Sequence, residues 1–254
     1  LQPVEGAAIA WAPGAHLQLR LNVAGREQHR SYSLVGLPAE VPGAYRIAVK
    51  RLDDGRGGSK AMWSLAVGDT LTASAPQNHF ALSLDAIDTL LVAGGIGITP
   101  LVGMAQTLVR LGRRVRLLYA VRNDAELAYA EGLRALLGDA LVTAVSARGE
   151  RLDLAREIAA LPAGAPCFVC GPAGMLDAAR GAWSAQGRAV RGRCAGARGR
   201  DRSPRRVPER ARKAREPPPV RLRVACGRLR HVGQRVPPGH RARSNIRVCA
   251  GFIT

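Results

Sequence analysis

Between Asp88 and Arg110 the chain carries no charged residue, and the rhythm of its apolar side chains changes in the middle of that stretch. Residues 89 to 93 form a short aliphatic run of strand length, whereas Leu101, Met104, Leu108 and Leu111 recur at helical spacing. The join is Gly94-Gly95-Ile96-Gly97-Ile98-Thr99-Pro100. Strand, glycine turn and helix in that order suit a nucleotide-phosphate site: glycines let the backbone approach a pyrophosphate, and amides at a helix N-terminus attract an anion. Thr99 suits the N-cap and Pro100 the first helical position. Proline stands where the third glycine of G-x-G-x-x-G would be, so the turn alone leaves nucleotide binding and a simple tight bend both open. A membrane crossing is disfavoured. A spanning helix needs about 20 mostly apolar residues of one periodicity, and this stretch contains glycines, a proline, threonines and a glutamine.

From Asp88 the pattern alternates. It predicts strands at 89–93, 115–121, 141–146 and 166–170, and helices at 100–111, 124–137, 153–160 and 172–186. Four βα units in series imply a parallel sheet with helices on both faces. Residues 1–84 read instead as all-β, with short strands in "HLQLRLNV", "RSYSLVGL", "YRIAVKRL" and "DTLTASAPQ" separated by turns at Pro13-Gly14, Pro42-Gly43 and Asp54-Gly55. A small antiparallel barrel accommodates them. The expected organisation is a β barrel over 1–84, an α/β domain over 85–187 and a distinct tail over 188–254. The first residue is Leu rather than Met, so the barrel is expected to be incomplete at its N-terminus, and no leader is expected in "LQPVEGAAIAWAPGAH".

The formal net charge of +19 suggests nucleic-acid binding until it is divided along the chain. Residues 1–187 carry 18 basic and 16 acidic side chains, whereas residues 188–254 carry 20 and 3. That tail is rich in Arg, Pro and Gly without sustained apolar periodicity, and is expected to be disordered and to pack no core. Two origins fit it. One is an arginine-rich arm for RNA or acidic partners, although no aromatic residue interleaves the arginines before Phe252. The other, favoured by the abruptness of the change, is GC-rich coding sequence read out of frame. Cys167 and Cys170 form a C-x-x-C with no second pair to complete a zinc site, so no metal is expected; few, reduced cysteines indicate a cytoplasmic protein.

Two stretches in the first part add chemistry. On a strand, Arg30, Tyr32 and Leu34 share one face while Ser31 and Ser33 share the other. Such a set suits a flavin, with a cation for phosphate, an aromatic ring against the isoalloxazine and a hydroxyl near N5, but it also suits an ordinary exposed strand. In "GRGGS", Gly55 to Ser59, successive glycines can form an anion nest to which Arg56 and Ser59 add a charge and a hydroxyl; a flexible turn is the alternative.

In order, PGAH (13–16), RSYS (30–33), VKR…GRGGS (49–59), P-x-N-x-F (76–80), GGIGITP (94–100) and CGP (170–172) resemble the ferredoxin–NADP reductase superfamily, specifically the phthalate dioxygenase reductase and vanillate demethylase reductase type, over residues 1–187. The resemblance implies a flavin-binding barrel followed by an NAD(P)-binding α/β domain. Arg30, Tyr32 and Ser33 match the flavin motif, with Tyr32 on the ring and Ser33 near N5; Arg56, Gly57, Gly58 and Ser59 match the segment that holds the phosphate of FMN, preferred over FAD. Val49 and Lys50 fall in the strand beside the flavin. Gly95, Gly97, Ile98 and Thr99 match the pyrophosphate turn, with Thr99 reaching toward the flavin. Cys170, Gly171 and Pro172 match the loop at the nicotinamide, with Met175 on the following helix. Ser33, Thr99 and Cys170 thus stand nearest the reaction, Cys170 shaping the pocket without acting as a nucleophile.

The implied activity is hydride transfer from NADH or NADPH to the flavin, then single-electron delivery to a terminal oxygenase or demethylase component. After the second α/β strand, Arg122 and Asp124 leave the choice of nucleotide open, Asp124 reading better as a helix N-cap than as a ribose ligand; the resemblance implies NADH. Members of this type carry a 2Fe-2S domain with a C-x4-C-x2-C motif, from which Cys194, Cys226 and Cys249 depart, so no cluster is predicted. A reading of another class is an arginine-rich nucleic-acid-binding protein with a vestigial reductase fold.

Overall fold

A computed structural model describes residues 1–187 and 219–224, with the backbone of 230–231 and 246–248. In the first part, β1 (Gln2–Pro3), β2 (His16–Val23), β3 (Arg26–Ser33), β4 (Ala48–Lys50) and β5 (Thr70–Ala73) form antiparallel pairings. β2 shows the alternation read in "HLQLRLNV": Leu17, Leu19 and Leu21 are buried while the residues between them are exposed. A helix, α1 (Gly58–Ser64), interrupts what the sequence suggested was all β. Lys60, Ala61 and Met62 favour helix, and Gly57, at φ +81°, supplies the left-handed turn that starts it.

The second part is a parallel sheet of β6 (Asp88–Gly94), β7 (Arg114–Val121), β8 (Leu141–Val145) and β9 (Cys167–Cys170) in the order β8-β7-β6-β9. Successive residues of β6 feed opposite layers. Leu91 and Ala93 join Leu101, Met104 and Leu108 of α2 (Thr99–Arg110) and Leu133 of α3 (Ala130–Leu137). Leu90 and Val92 join Ile158 of α4 (Leu154–Ala159) and Leu176 and Ala179 of α5 (Ala173–Ala185). The chain leaves β6 toward β7 and β8, then returns to β9 on the other side of β6, so the C-terminal ends of β6 and β9 flank a topological switch point.

Two further expectations need correction. The predicted helix 124–137 is broken: a short 3-10 turn at Asp124–Glu126 precedes α3, and Tyr129 takes a positive φ of 62° between them. The Tyr119 hydroxyl donates to the Glu126 carbonyl at 3.0 Å and anchors the break. The tail also contributes to the core. β10 (Val220–Arg223) pairs antiparallel with both β1 and β5, and Leu222 and Val224 are buried with Leu19 and Leu71. The alternation Val220, Leu222, Val224 is short enough to vanish among the arginines, yet it fits the two-residue repeat of a strand. β11 (Arg230–His231) and β12 (Ile246–Val248) complete a three-stranded sheet with β4. The rest of 188–254, on which the disordered-arm and out-of-frame readings depend, lies outside the described residues. No described helix is long and apolar enough to cross a membrane.

Candidate active site

The turn after β6 is a 3-10 segment, Gly95–Ile98, running directly into α2. Its glycines are needed for different reasons. Gly95 has φ +54° with open space where a Cβ would point; Gly97 lies against β9, where a Cβ would stand 2.1 Å from the Cys170 carbonyl oxygen. Thr99 is not the N-cap. That position falls on Ile98, and the buried Thr99 hydroxyl donates back to the Ile96 carbonyl at 3.0 Å, which directs it into the turn. Pro100 sits within the first helical turn, as its fixed φ favours.

The CGP loop meets this turn. Cys170 ends β9 and is buried, and both it and Cys167 are thiols. A Cβ on Gly94 would lie 2.5 Å from Pro172 Cδ and 3.0 Å from Met175 Sδ; one on Gly171 would lie 2.8 Å from that sulfur. Gly94, Gly97 and Gly171 thus let two strand ends close on each other, with Ile98 buried beneath and Met175 covering the joint. Gly94 was not among the residues singled out in the sequence, although it belongs to the same glycine run.

In the barrel, Arg30 packs against the start of α1: a Cβ on Gly58 would be 2.8 Å from Arg30 Nε. The flavin-motif arginine and the expected phosphate segment are therefore neighbours. The Arg30 guanidinium donates to the His29 carbonyl at 2.8 Å and also bonds Gln28. Tyr32 is half-buried against the barrel core, and burial pushes its phenol up to about 12, against a smaller opposing pull from Arg30. Ser33 lies opposite His16 at the end of β3. Arg56 is exposed, whereas the Ser59 hydroxyl is engaged with residue 52, accepting from the Leu52 amide at 3.0 Å. Val49 is buried, and its carbonyl accepts from Trp63 Nε1 at 3.1 Å.

β4 joins the two halves. Ala48 is buried with Leu91, Ala93 and Ile98, and Lys50 Nζ pairs with Glu126 Oε1 at 2.7 Å. Glu126 escaped sequence reasoning because it was read inside a continuous helix. Further contacts lock the same joint: Gly103 of α2 lies where a Cβ would strike the Gly36 carbonyl oxygen at 2.1 Å, and Gln106 Nε2 donates to Glu40 Oε1 at 2.7 Å. The P-x-N-x-F motif also serves it, Asn78 donating to the Pro13 carbonyl at 3.1 Å while Phe80 meets Phe168 edge-on at 5.6 Å. A lone glycine inside α2 was the available signal for the close approach at residue 103.

After β7, Asp124 does not cap a helix as expected; the 3-10 turn starts from Asn123 without a side-chain cap, and the Asp124 carboxylate pairs with Arg148. Residues 122–124 and 146–151 thereby form one charged rim at the C-terminal ends of β7 and β8.

Comparison with known proteins accords with this arrangement. Residues 2–82 match the oxidoreductase FAD-binding domain and residues 91–181 the oxidoreductase NAD-binding domain. The chain is 40% identical over 178 residues to the heme-dependent oxidative N-demethylase beta subunit of Ectopseudomonas mendocina (strain ymp), a match covering 70% of this chain and 56% of that protein. It is 35% identical over 190 residues to the vanillate O-demethylase oxidoreductase of Pseudomonas putida, covering 74% and 59%. The chain thus spans little more than half the length of these relatives. The structure of phthalate dioxygenase reductase, described as modular for electron transfer from pyridine nucleotides to a 2Fe-2S centre, matches with a TM-score of 0.66 at 28% identity, over 75% of this chain and 60% of that one. An antiparallel flavin-binding part joined through β4 to a doubly wound nucleotide-binding part, both recognised by these matches, makes the chain a member of the ferredoxin reductase-like superfamily of oxidoreductases.

Proposed function

We propose that the chain takes a hydride from NADH or NADPH onto a bound FMN and delivers single electrons to a terminal oxygenase or demethylase component. The observation that carries this reading is β4: its Ala48 is buried in one cluster with Ile98 of the glycine turn and its Lys50 reaches Glu126, so the barrel strand beside the expected flavin abuts the nucleotide end of the parallel sheet. When bound, the flavin supplies the conversion of a hydride into two single-electron steps.

The chain's own residues supply placement. Arg30 beside Gly58 fits a terminal flavin phosphate, and the half-buried face of Tyr32 offers a flat apolar surface. The FMN assignment is supported by the GRGGS segment lying next to Arg30. Gly95 leaves room for a pyrophosphate, while Cys170, Gly171 and Pro172 bound the space where a nicotinamide would lie against the flavin. Rings held in contact gain the proximity that makes hydride transfer fast. We place the protein in the cytoplasm, as the few cysteines of the sequence suggest. We further divide the chain into flavin and nucleotide domains near residue 84, with residues 219–224 belonging to the first. The described residues do not fit an iron–sulfur cluster, since they include no group of three metal-ligating side chains, and no step is assigned to one. The nucleic-acid reading depends on residues outside the described part and gains no support from the fold.

The test is an absorbance spectrum of the purified protein before and after anaerobic addition of NADH or NADPH. Flavin bands that bleach support the reading. A colourless protein that cannot be reconstituted with FMN or FAD refutes it.

A further inference from the structure

We propose that the rim formed by Arg122 and Arg148 selects a nucleotide with a 2′-phosphate, so that NADPH is the preferred donor. This rests on the proposed function and deepens it. The adenosine ribose of a nucleotide bound across a doubly wound sheet falls at the end of the strand next to the glycine turn, where an acidic side chain favours a free 2′-hydroxyl and an arginine favours the phosphate. Here that strand is β7. Arg122 immediately follows it, is exposed, and makes no ion pair among the described residues. The loop after β8 is tied to the same place: the Ala147 amide donates to the Arg122 carbonyl at 2.8 Å and the Ser146 hydroxyl to the Val121 carbonyl at 3.2 Å. The residue preceding Arg148 is thereby tied to the backbone of Arg122.

Asp124 is the acidic side chain that would suit NADH, but it is held by Arg148. Glu150, the other carboxylate of the rim, turns back into the loop, where Oε2 accepts from the Val145 amide at 2.7 Å, while Oε1 stays 3.8 Å from Arg148. Arg151 donates to the Ser146 and Glu150 carbonyls and braces the loop. The rim thus carries three arginines and two carboxylates, and both carboxylates are engaged. The Asp124–Arg148 pair is half-exposed on each side, and such pairs are weak. A 2′-phosphate dianion offers Arg148 a stronger, bidentate partner and Arg122 its first.

The experiment measures binding of 2′-phospho-AMP and of 5′-AMP to the purified holoprotein by calorimetry, and kcat/KM for NADPH and NADH. We expect 2′-phospho-AMP to bind at least roughly tenfold more tightly, as one charge-assisted bond supplies. Arg122→Ala and Arg148→Ala should each remove most of that preference while 5′-AMP binding persists, with Arg148→Lys intermediate. Asp124→Asn should sharpen it. Equal or tighter binding of 5′-AMP, or a preference that survives both alanine variants, overturns the proposal. Preferential 2′-phospho-AMP binding without flavin reduction by either nucleotide would uphold the rim and refute the proposed function instead.

Discussion

Gly97 sits over the carbonyl of Cys170 so closely that a Cβ there would stand 2.1 Å from the oxygen and 2.6 Å from the carbon. The atoms in the way are backbone, so a side chain can be admitted only by moving β9 away from β6. Gly97→Ala should cost about 1–3 kcal/mol in urea unfolding and should lose nucleotide-driven flavin reduction. Gly95→Ala makes the contrast. Space is open there and only its φ of +54° resists, so the cost should be about 1–2 kcal/mol, with the flavin retained and the nucleotide KM raised. A Gly97→Ala protein as stable as the parent would contradict this account of the turn.

The pair between Lys50 and Glu126 links the two halves with each side chain about one-fifth exposed or less. Removing one partner leaves the other partly buried without its counter-charge. Glu126→Gln and Lys50→Met should each destabilise by about 1–2 kcal/mol, and the double variant should cost clearly less than their sum. Chemical denaturation of the four proteins measures the coupling; strict additivity would show that the pair does not hold the joint.

These residues also show what a sequence can and cannot reveal. The ends of β6 and α2 were legible because both periodicities are strong and the turn between them is marked by glycine. α1 was hidden since its seven residues follow a glycine cluster that reads equally well as a turn. The break before α3 was hidden for a different reason: it is anchored by a side chain of the preceding strand, Tyr119, bonding the Glu126 carbonyl, which the apolar periodicity of 124–137 does not register. The flavin and nucleotide motifs could be found by their order, but the contacts that bring them together depend on tertiary placement: the glycine inside α2 marks a close approach without indicating Gly36 as its partner, and no local pattern marks the pairing of Lys50 with Glu126.

Leu222 tests the contribution of β10. It is almost fully buried, its strand lies between β1 and β5, and it shares a cluster with Leu19 and Leu71. Leu222→Ala should cost about 2–5 kcal/mol, while Arg221→Ala, whose side chain is exposed on the same strand, should change stability by less than about 0.5 kcal/mol. Equal, small effects at both positions would mean that β10 does not complete the barrel in solution.

Tyr32 gives the structure a signature in alkali. Burial raises its phenol from 10 to about 12, and burial raises Tyr45 and Tyr119 as well. Between those values the unfolded chain loses the Tyr32 proton while the folded chain keeps it, so the unfolded state binds fewer protons and stability must fall as pH rises. The contribution is complete below pH 10 and lost by about pH 12. Unfolding free energy measured across that window should therefore decline, and Tyr32→Phe, which removes one of the three titrations, should flatten the decline. Tyrosinate absorbance of the native protein should develop later than that of the denatured protein. A Tyr32→Phe variant with the parent's slope would mean that the phenol is solvated, and the half-buried surface offered to a flavin ring would not exist.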